Sequence, residues 1–256
     1  MSHPPLQVKV WGDFACFTRP DMKVERVSYP VMTPSAARGM LEAIFWKPEF
    51  AWRVREIHVL NPIRHFSILR NEVNKVATVK KSGEGDFYAD DSKNREQRHT
   101  LALRDVAYII HADIQLRDHA TADVAKYRDQ FRRRVKHGKC FARPYLGCRE
   151  FSARFAEPDG SESVREDLSD DLGLMLFDQI YREDEGGTMQ FRRHDKPIDN
   201  PAQYEPQSDE EWDALPLKTG HPGARVVKGT AIPRYFRAEL EEGILVVPQE
   251  LYEEEI

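Results

Sequence analysis

Apolar and polar residues alternate at the start of the chain, which predicts a half-buried first strand over residues 6–11. A helix is predicted to follow, because Thr33 can cap its N-terminus and Pro34 fits its first position. Pro48 ends the helix, since proline disfavours helical dihedrals at the preceding residue. Between these signals, the apolar side chains at helical spacing are Ala37, Met40, Leu41, Ile44 and Phe45.

A second set of elements repeats this order. Strands are predicted near residues 54–60 and 105–116, the latter rich in β-branched and aromatic residues. The polar stretch between them predicts a hairpin arm near residues 70–100. A second helix is predicted over residues 121–137, where Gly138 can form the C-terminal cap. Its apolar face consists of Val124, Tyr127, Phe131 and Val135.

The segment after the second helix, residues 140–155, has extended character. The order strand, helix, strand, then strand, helix, strand predicts an α+β fold with an N-terminal ferredoxin-like (RRM-like) domain over residues 1–156. Short strands are expected again near residues 172–181, 235–240 and 244–247. Residues 183–230 are rich in proline, glycine and acidic residues and predict a long acidic loop. We therefore expect a smaller β-rich C-terminal domain over residues 157–256.

The charge of the chain is unevenly distributed. The net charge is −5, but residues 126–154 contain ten Lys/Arg against two Asp/Glu. Residues 155–256 contain ten Lys/Arg against 25 Asp/Glu, so the last third is strongly acidic. The overall charge argues against a nucleic-acid-binding protein, whereas the basic band at 126–154 argues for one.

Several other classes of protein are disfavoured by the sequence. The three cysteines form no CxxC pair, and the nine histidines show neither H-x-H nor H-E-x-x-H spacing. We therefore expect no disulfide framework, no metal site and no cofactor. The first residues lack the apolar segment of a secretory signal, and no uncharged apolar run reaches the ~18 residues of a membrane span. A cytoplasmic protein without membrane contact is expected.

Six short motifs together resemble the Cas-five proteins of type I-C CRISPR systems. They are residues 10–17 (VWGDFACF), 35–39 (SAARG), 41–48 (LEAIFWKP), 70–73 (RNEV), 131–134 (FRRR) and 144–151 (PYLGCREF). The resemblance implies a RAMP-superfamily endoribonuclease that cuts precursor CRISPR RNA at the base of the repeat hairpin without metal. It further implies that the protein stays on the 5′ handle in a surveillance complex, beside the Cas-seven backbone and the Cas-eight large subunit.

The resemblance also implies catalytic positions. The family has a tyrosine at the end of the first helix and a Lys-His pair early in the second, and these positions fall on Phe45, Lys126 and Tyr127. Phe45 has no hydroxyl, and tyrosine is a poorer base than histidine near neutral pH. Both aromatic residues also fit the apolar faces of their helices, so core packing is the alternative for each. His137 follows Lys126 by about 16 Å along the helix, so we expect no direct partnership between them.

RNA binding is expected along the basic band, because arginine and lysine suit phosphate contacts. The candidate residues are Arg132, Arg133, Arg134, Lys136, Lys139, Arg143 and Arg149. Aromatic side chains that could stack on unpaired bases, or else belong to the core, are Trp11, Phe14, Phe17, Tyr29 and Tyr145.

Three functional alternatives remain open. The first is a repeat-RNA endoribonuclease, and the second is a non-catalytic structural subunit that only binds the CRISPR RNA 5′ handle. The third is an RRM-like protein unrelated to CRISPR. The basic band has its own alternative, a solvated surface that balances the acidic last third of the chain.

Overall fold

A computed structural model describes residues 3–73, 92, 94–194 and 224–255. Two α-helices and ten strands occur in this part of the chain, together with 3₁₀ turns at Pro20–Met22 and Gln249–Glu255. In chain order the elements are β1 (Leu6–Ala15), β2 (Arg26–Val27), α1 (Pro34–Ile44), β3 (Phe50–Val59), β4 (His65–Val73), β5 (Arg95–Leu116), α2 (Val124–Lys136), β6 (Arg154–Ala156), β7 (Asp170–Glu183), β8 (Met189–His194), β9 (Ala224–Glu241) and β10 (Ile244–Val246).

Both predicted helices are confirmed, and their caps explain where they begin. The Thr33 side chain accepts a hydrogen bond from the Ala36 amide at the start of α1, and Asp123 caps α2 in the same way through Ala125. Gly138 follows α2 with a φ of 61°, in the left-handed region that favours glycine.

A single, mostly antiparallel sheet contains all ten strands. Its main path runs β6-β1-β5-β3-β10-β9-β7, while β2 and β4 pair with β5, and β8 pairs with β9. The pairing of β10 with β3 therefore joins the C-terminal strands to the N-terminal ones in one hydrogen-bonded layer. The fold is mixed α and β, as the sequence predicts.

The strands differ from prediction mainly in length. β3 and β5 begin earlier than expected, and β4 pairs with the first part of β5 from His65↔Leu103 to Val73↔Arg95. The rest of the predicted arm, residues 74–91 and 93, lies outside the described residues.

The prediction of a loop over residues 183–230 is wrong at both ends. Met189–His194 forms β8, and residues 224–230 belong to β9. These two segments pair with each other, and the cross-strand contacts stabilise them as strands. Their charged local composition had suggested a loop. Residues 195–223 lie outside the described part of the chain.

The main core lies between the sheet and the two helices. Met40 and Ile44 of α1 pack into it, and α2 adds Phe131 and Val135. The ring of Phe131 lies 4.8 Å from that of Trp52 on β3, measured between centroids. These contacts fix α2 along the sheet and leave its opposite face to solvent.

Candidate functional site

The three implied catalytic residues do not form one exposed site. Phe45 is only 1% exposed and Tyr127 only 4%, whereas Lys126 lies on the surface. The rings of Phe45 and Tyr127 both pack against Phe50, with centroids at 5.4 Å and 5.3 Å. Both aromatic residues are therefore part of the core.

Burial also changes the acid–base chemistry of Tyr127. Removal of the hydroxyl from water raises its pKa above the ordinary value, and the nearby Glu49 carboxylate raises it further. The deprotonated form of Tyr127, which could act as a base, is therefore scarcer at neutral pH than that of a free tyrosine.

The basic band spreads over several surfaces. Arg134 lies partly buried at the end of α1, where its Nη1 donates a hydrogen bond to the Ile44 carbonyl at 3.1 Å. Its guanidinium carbon lies 5.4 Å from the centroid of the Phe45 ring. The cation therefore stabilises the C-terminus of α1, where helix carbonyls attract positive charge.

The remaining candidate cations are exposed. Arg132 forms an ion pair with Asp129 at 3.5 Å. The others on the surface are Arg133, Lys136, Lys139, Arg143 and Arg149. Of these, Arg133 and Lys139 come together in one depression.

This depression is an open cleft of about 530 Å³ at the C-terminal end of α2, and we call it the α2 cleft. Its lining residues are Gln130, Arg133, Arg134, His137, Lys139 and Cys140. Within the described part of the chain, no acidic side chain lines it. Three cations, an imidazole and no carboxylate make the cleft suited to an anion.

The cleft continues a polar stripe along α2. Lys126, Gln130, Arg133 and His137 follow one another at spacings of four, three and four residues, so they share one face of the helix. Lys126 and His137 thus mark two ends of one surface about 16 Å long, although they are too far apart to touch. The spacing of these four residues in the sequence is enough to indicate their shared helix face.

An exposed aromatic ring follows the cleft. Phe141 is 74% exposed, while its backbone amide donates to the Ala43 carbonyl at 2.8 Å and so fixes the segment against α1. Sequence reasoning did not single out Phe141. Among the aromatic candidates it did name, Phe17 and Tyr29 are buried, Trp11 is half-buried, and Phe14 and Tyr145 are exposed.

The PYLGCREF motif forms a loop against the end of β1. The Cys16 amide donates to the Leu146 carbonyl at 3.0 Å. Gly147 has a φ of 82°, and a Cβ there would lie 2.0 Å from the Cys16 carbonyl oxygen, so only glycine fits. Tyr145 and Gly147 border a second cleft of about 250 Å³, which Ser35, Ala36 and Gly39 of α1 also line.

Ion pairs connect this loop to the RNEV motif. Glu150 contacts Arg70, and Arg70 also contacts Glu72. Arg26 also bridges these two carboxylates, at 3.4 Å from that of Glu72 and 3.7 Å from that of Glu150. Two motifs that are distant in the sequence therefore form one charged cluster.

Among the described residues, one group of side chains brings ligand atoms close enough together to hold a metal ion, and the sequence did not indicate this group. Glu56, His58 and His111 each offer a ligand atom, and these atoms lie within 4.8 Å of one another. The missing signal is tertiary, because His111 reaches the other two only through the pairing of β3 with β5. All three cysteines are free.

The family follows from comparison with known proteins. The sequence profile described as "CRISPR-associated protein (Cas_Cas5)", of the Cas5d subgroup, matches residues 6–248. The chain belongs to the type I-C Cas5 family. The resemblance seen in the motifs is thus confirmed, and an RRM-like protein unrelated to CRISPR is excluded.

Two relatives of this Cas5 chain are named "CRISPR pre-crRNA endoribonuclease Cas5d". The protein from Thermus thermophilus is 47% identical over 97% of this chain and 93% of its own length. The protein from Mannheimia succiniciproducens is 42% identical over 73% of this chain and 89% of its own length.

Solved structures agree on the fold. A structure titled "Crystal Structure of CRISPR-associated Protein" superimposes with a TM-score of 0.55 at 18% identity, over 97% of this chain and 96% of that one. No helix in the described ranges combines the length and apolarity needed to cross a membrane.

Proposed function

We propose that this Cas5 chain binds the repeat hairpin of precursor CRISPR RNA in the α2 cleft and cuts it at the hairpin base without metal. The observation that carries the proposal is the α2 cleft, whose described lining combines Arg133, Lys139 and His137 and includes no carboxylate. Two relatives named as pre-crRNA endoribonucleases support the same function.

The surface has the parts that RNA binding requires. Arg133 and Lys139 provide phosphate contacts in the cleft, and Lys126 extends the cationic surface towards the start of α2. Phe141 offers a ring on which an unpaired base can stack. An extended strand along the polar stripe would meet all of these groups.

Metal-free cleavage needs three contributions. The 2′-hydroxyl beside the scissile phosphate attacks it and loses its proton to a base, the phosphorane needs positive charge, and the leaving 5′-oxygen gains a proton. The products are a 2′,3′-cyclic phosphate and a 5′-hydroxyl. In our proposal His137 accepts the proton of the 2′-hydroxyl and returns it to the leaving 5′-oxygen. Arg133 and Lys139 stabilise the phosphorane, and Lys126 holds the RNA strand further along α2.

This assignment changes the roles implied by the family positions. Phe45 and Tyr127 are core residues with no exposed hydroxyl to offer, so we assign them to the support of α1 and α2. Lys126 keeps a functional role because it is exposed on the same face as His137.

The fold supports this placement. The order β6-β1-β5-β3, with α1 between β1 and β3 and α2 between β5 and β6, supports a ferredoxin-like unit. We propose that residues 1–156 form this unit and that residues 157–256 form the β-rich extension. Both helices would then cover one face of the sheet, with the α2 cleft at their ends.

A second candidate is a subunit that holds the 5′ handle without cutting. The cleft between the PYLGCREF loop and α1 favours it, because the exposed Tyr145 borders a space suited to a base or phosphate. In either case we propose that the protein remains in the surveillance complex beside the Cas-seven backbone and the Cas-eight large subunit, in the cytoplasm.

The test is cleavage of a repeat-hairpin RNA by the purified protein in excess EDTA, with both product ends mapped. We expect a cut at the hairpin base that leaves a 2′,3′-cyclic phosphate. His137→Ala should slow the single-turnover rate by about 10²-fold, the usual scale of a lost acid–base group. Tyr127→Phe, which removes only a buried hydroxyl, should stay within about twofold of the unsubstituted rate.

Each other outcome has a definite meaning. Tight binding without a cut would leave the handle-holding role, and weak binding without preference for the repeat would contradict both candidates. A large loss of rate in Tyr127→Phe with none in His137→Ala would return catalysis to the start of α2.

A further inference from the structure

Glu56, His58 and His111 lie together on the side of the sheet opposite the helices. Ile57 and Ile110, their neighbours along β3 and β5, are fully buried in the helix-side core. Because side chains alternate along a strand, the two histidines and the glutamate point the other way. Glu56 and His111 are direct partners across the two strands, and His58 is two residues from Glu56 on the same face.

Their geometry is close to that of a metal site. Nε2 of His58 lies 2.8 Å from Oε2 of Glu56. The His58 and His111 rings are stacked with centroids 4.1 Å apart, and all three ligand atoms lie within 4.8 Å of one another. Tetrahedral zinc, with ligands at ~2.0–2.2 Å, holds its donor atoms about 3.4 Å apart. Binding an ion would lengthen the 2.8 Å separation of His58 and Glu56 to about this spacing and would draw the His111 nitrogen towards them.

The chemistry of the cluster favours a cation over an anion. The Glu56 carboxylate would repel a phosphate, whereas two imidazoles and a carboxylate are ligands that zinc accepts. The cation on the adjacent strand β1, Lys9, is already paired with a different carboxylate, that of Glu162, at 3.1 Å. Among the described residues no group hydrogen-bonds to the His111 ring, which leaves its nitrogens available.

We propose that Glu56, His58 and His111 bind one zinc ion, with a water at the fourth position. The ion would link the two central strands of the sheet and stabilise the folded protein, because it binds the folded state only. This site is separate from the α2 cleft, and the proposal does not depend on RNA cleavage.

The test uses the full chain, stripped of metal with a chelator and then dialysed. Calorimetric titration with zinc chloride should give one ion per chain, and the melting temperature should rise with zinc. Titration with Co²⁺ should produce the visible absorption bands of tetrahedral nitrogen and oxygen coordination.

Substitutions locate the ion. His58→Gln and His111→Asn should each weaken zinc binding about tenfold or more, as should Glu56→Gln. His65→Gln, at an exposed histidine of β4, is the matched control and should bind as the unsubstituted protein does. Circular dichroism of each variant verifies that the fold is retained.

Two results would overturn the proposal: no stoichiometric binding by the unsubstituted protein, or unchanged binding in all three cluster variants. The second would place the ion elsewhere, for instance on His137 and Cys140. Cleavage in EDTA is measured separately, so a failed zinc site leaves the proposed nuclease unaffected, and a failed nuclease leaves the zinc site unaffected.

Discussion

Burial divides the side chains of α2 into those that support the fold and those that can meet RNA. Tyr127 faces the core, where its hydroxyl has a raised pKa, while Arg133 faces the α2 cleft. The same arginine-rich segment serves both purposes, since Arg134 packs on the end of α1. Residue type alone does not assign a role here; the position around the helix does.

Arg133 should contribute to RNA affinity through phosphate contact. Arg133→Ala should weaken repeat-RNA binding and lower the slope of log K against log salt by about 1. The measurement is fluorescence anisotropy at several salt concentrations. Arg182→Ala, which removes an exposed cation from β7, should leave the slope unchanged. Equal slopes for Arg133→Ala and the unsubstituted protein would show that Arg133 makes no phosphate contact.

The sequence predicted the cationic band but not how its members group. The shared helix face of Lys126, Arg133 and His137 is implicit in their spacing, but it was not among the predictions. Phe141 and Arg134 could not be placed that way, because their surroundings depend on how α1 meets α2. The cluster of Glu56 and His111 likewise requires knowledge of which strands pair and in what register.

At the scale of elements, β5 contains a residue in the left-handed backbone region, Asp105. This residue has a φ of 57°, which is unfavourable for residues other than glycine, asparagine or aspartate. The Asn61 side chain supports this conformation by donating to the Asp105 carbonyl at 2.9 Å. β5 pairs with β1 on both sides of Asp105, and beyond it with β3 as well.

The left-handed conformation of Asp105 predicts that glycine is tolerated better than alanine at this position. Asp105→Gly should be more stable than Asp105→Ala by about 1 kcal/mol, because only alanine carries the Cβ penalty in this conformation. Both variants lose the same carboxylate, so the difference isolates the backbone effect. Urea denaturation followed by circular dichroism measures it. An alanine variant at least as stable as the glycine variant would contradict the strain.

Elements with strong local signals were predictable, and elements that depend on distant partners were not. Thr33 and Pro34 determine the start of α1, and Gly138 follows the end of α2. β8 contains only six residues in a charged region, and it forms because β9 pairs with it. Such pairing cannot be deduced from residues 189–194 alone.

At the scale of the molecule, a partly buried ion pair joins α1 to the C-terminal strands. The Arg38 guanidinium contacts both oxygens of Asp178 on β7, at 2.6 Å and 2.8 Å, and also Glu42 at 2.7 Å. Burial lowers the pKa of Arg38, but the two carboxylates outweigh it and raise the pKa above its ordinary value. The SAARG motif thus connects both parts of the chain.

Loss of this ion pair should destabilise the whole protein. Asp178→Ala leaves a partly buried guanidinium with only one carboxylate and should cost about 2–3 kcal/mol of unfolding free energy. Asp171→Ala, on the same strand, removes the exposed partner of Arg237 and should cost clearly less than Asp178→Ala, because a solvent-exposed ion pair contributes little. Chemical denaturation compares the two. Equal small losses would mean that Arg38 contributes no more than a surface ion pair.

The pairing of β10 with β3 has a consequence for how the protein is made. β3 ends at Val59, whereas its partner Ile244–Val246 emerges from the ribosome only after all the intervening strands have been made. Until then one edge of β3, including the backbone groups of Val54 that the Tyr252 hydroxyl contacts, has no strand or side chain to cover it. Such an uncovered edge is a template for unwanted strand addition. Nascent chains stalled before residue 244 should therefore be more prone to aggregate, or to recruit chaperones, than chains in which residues 244–252 have been made.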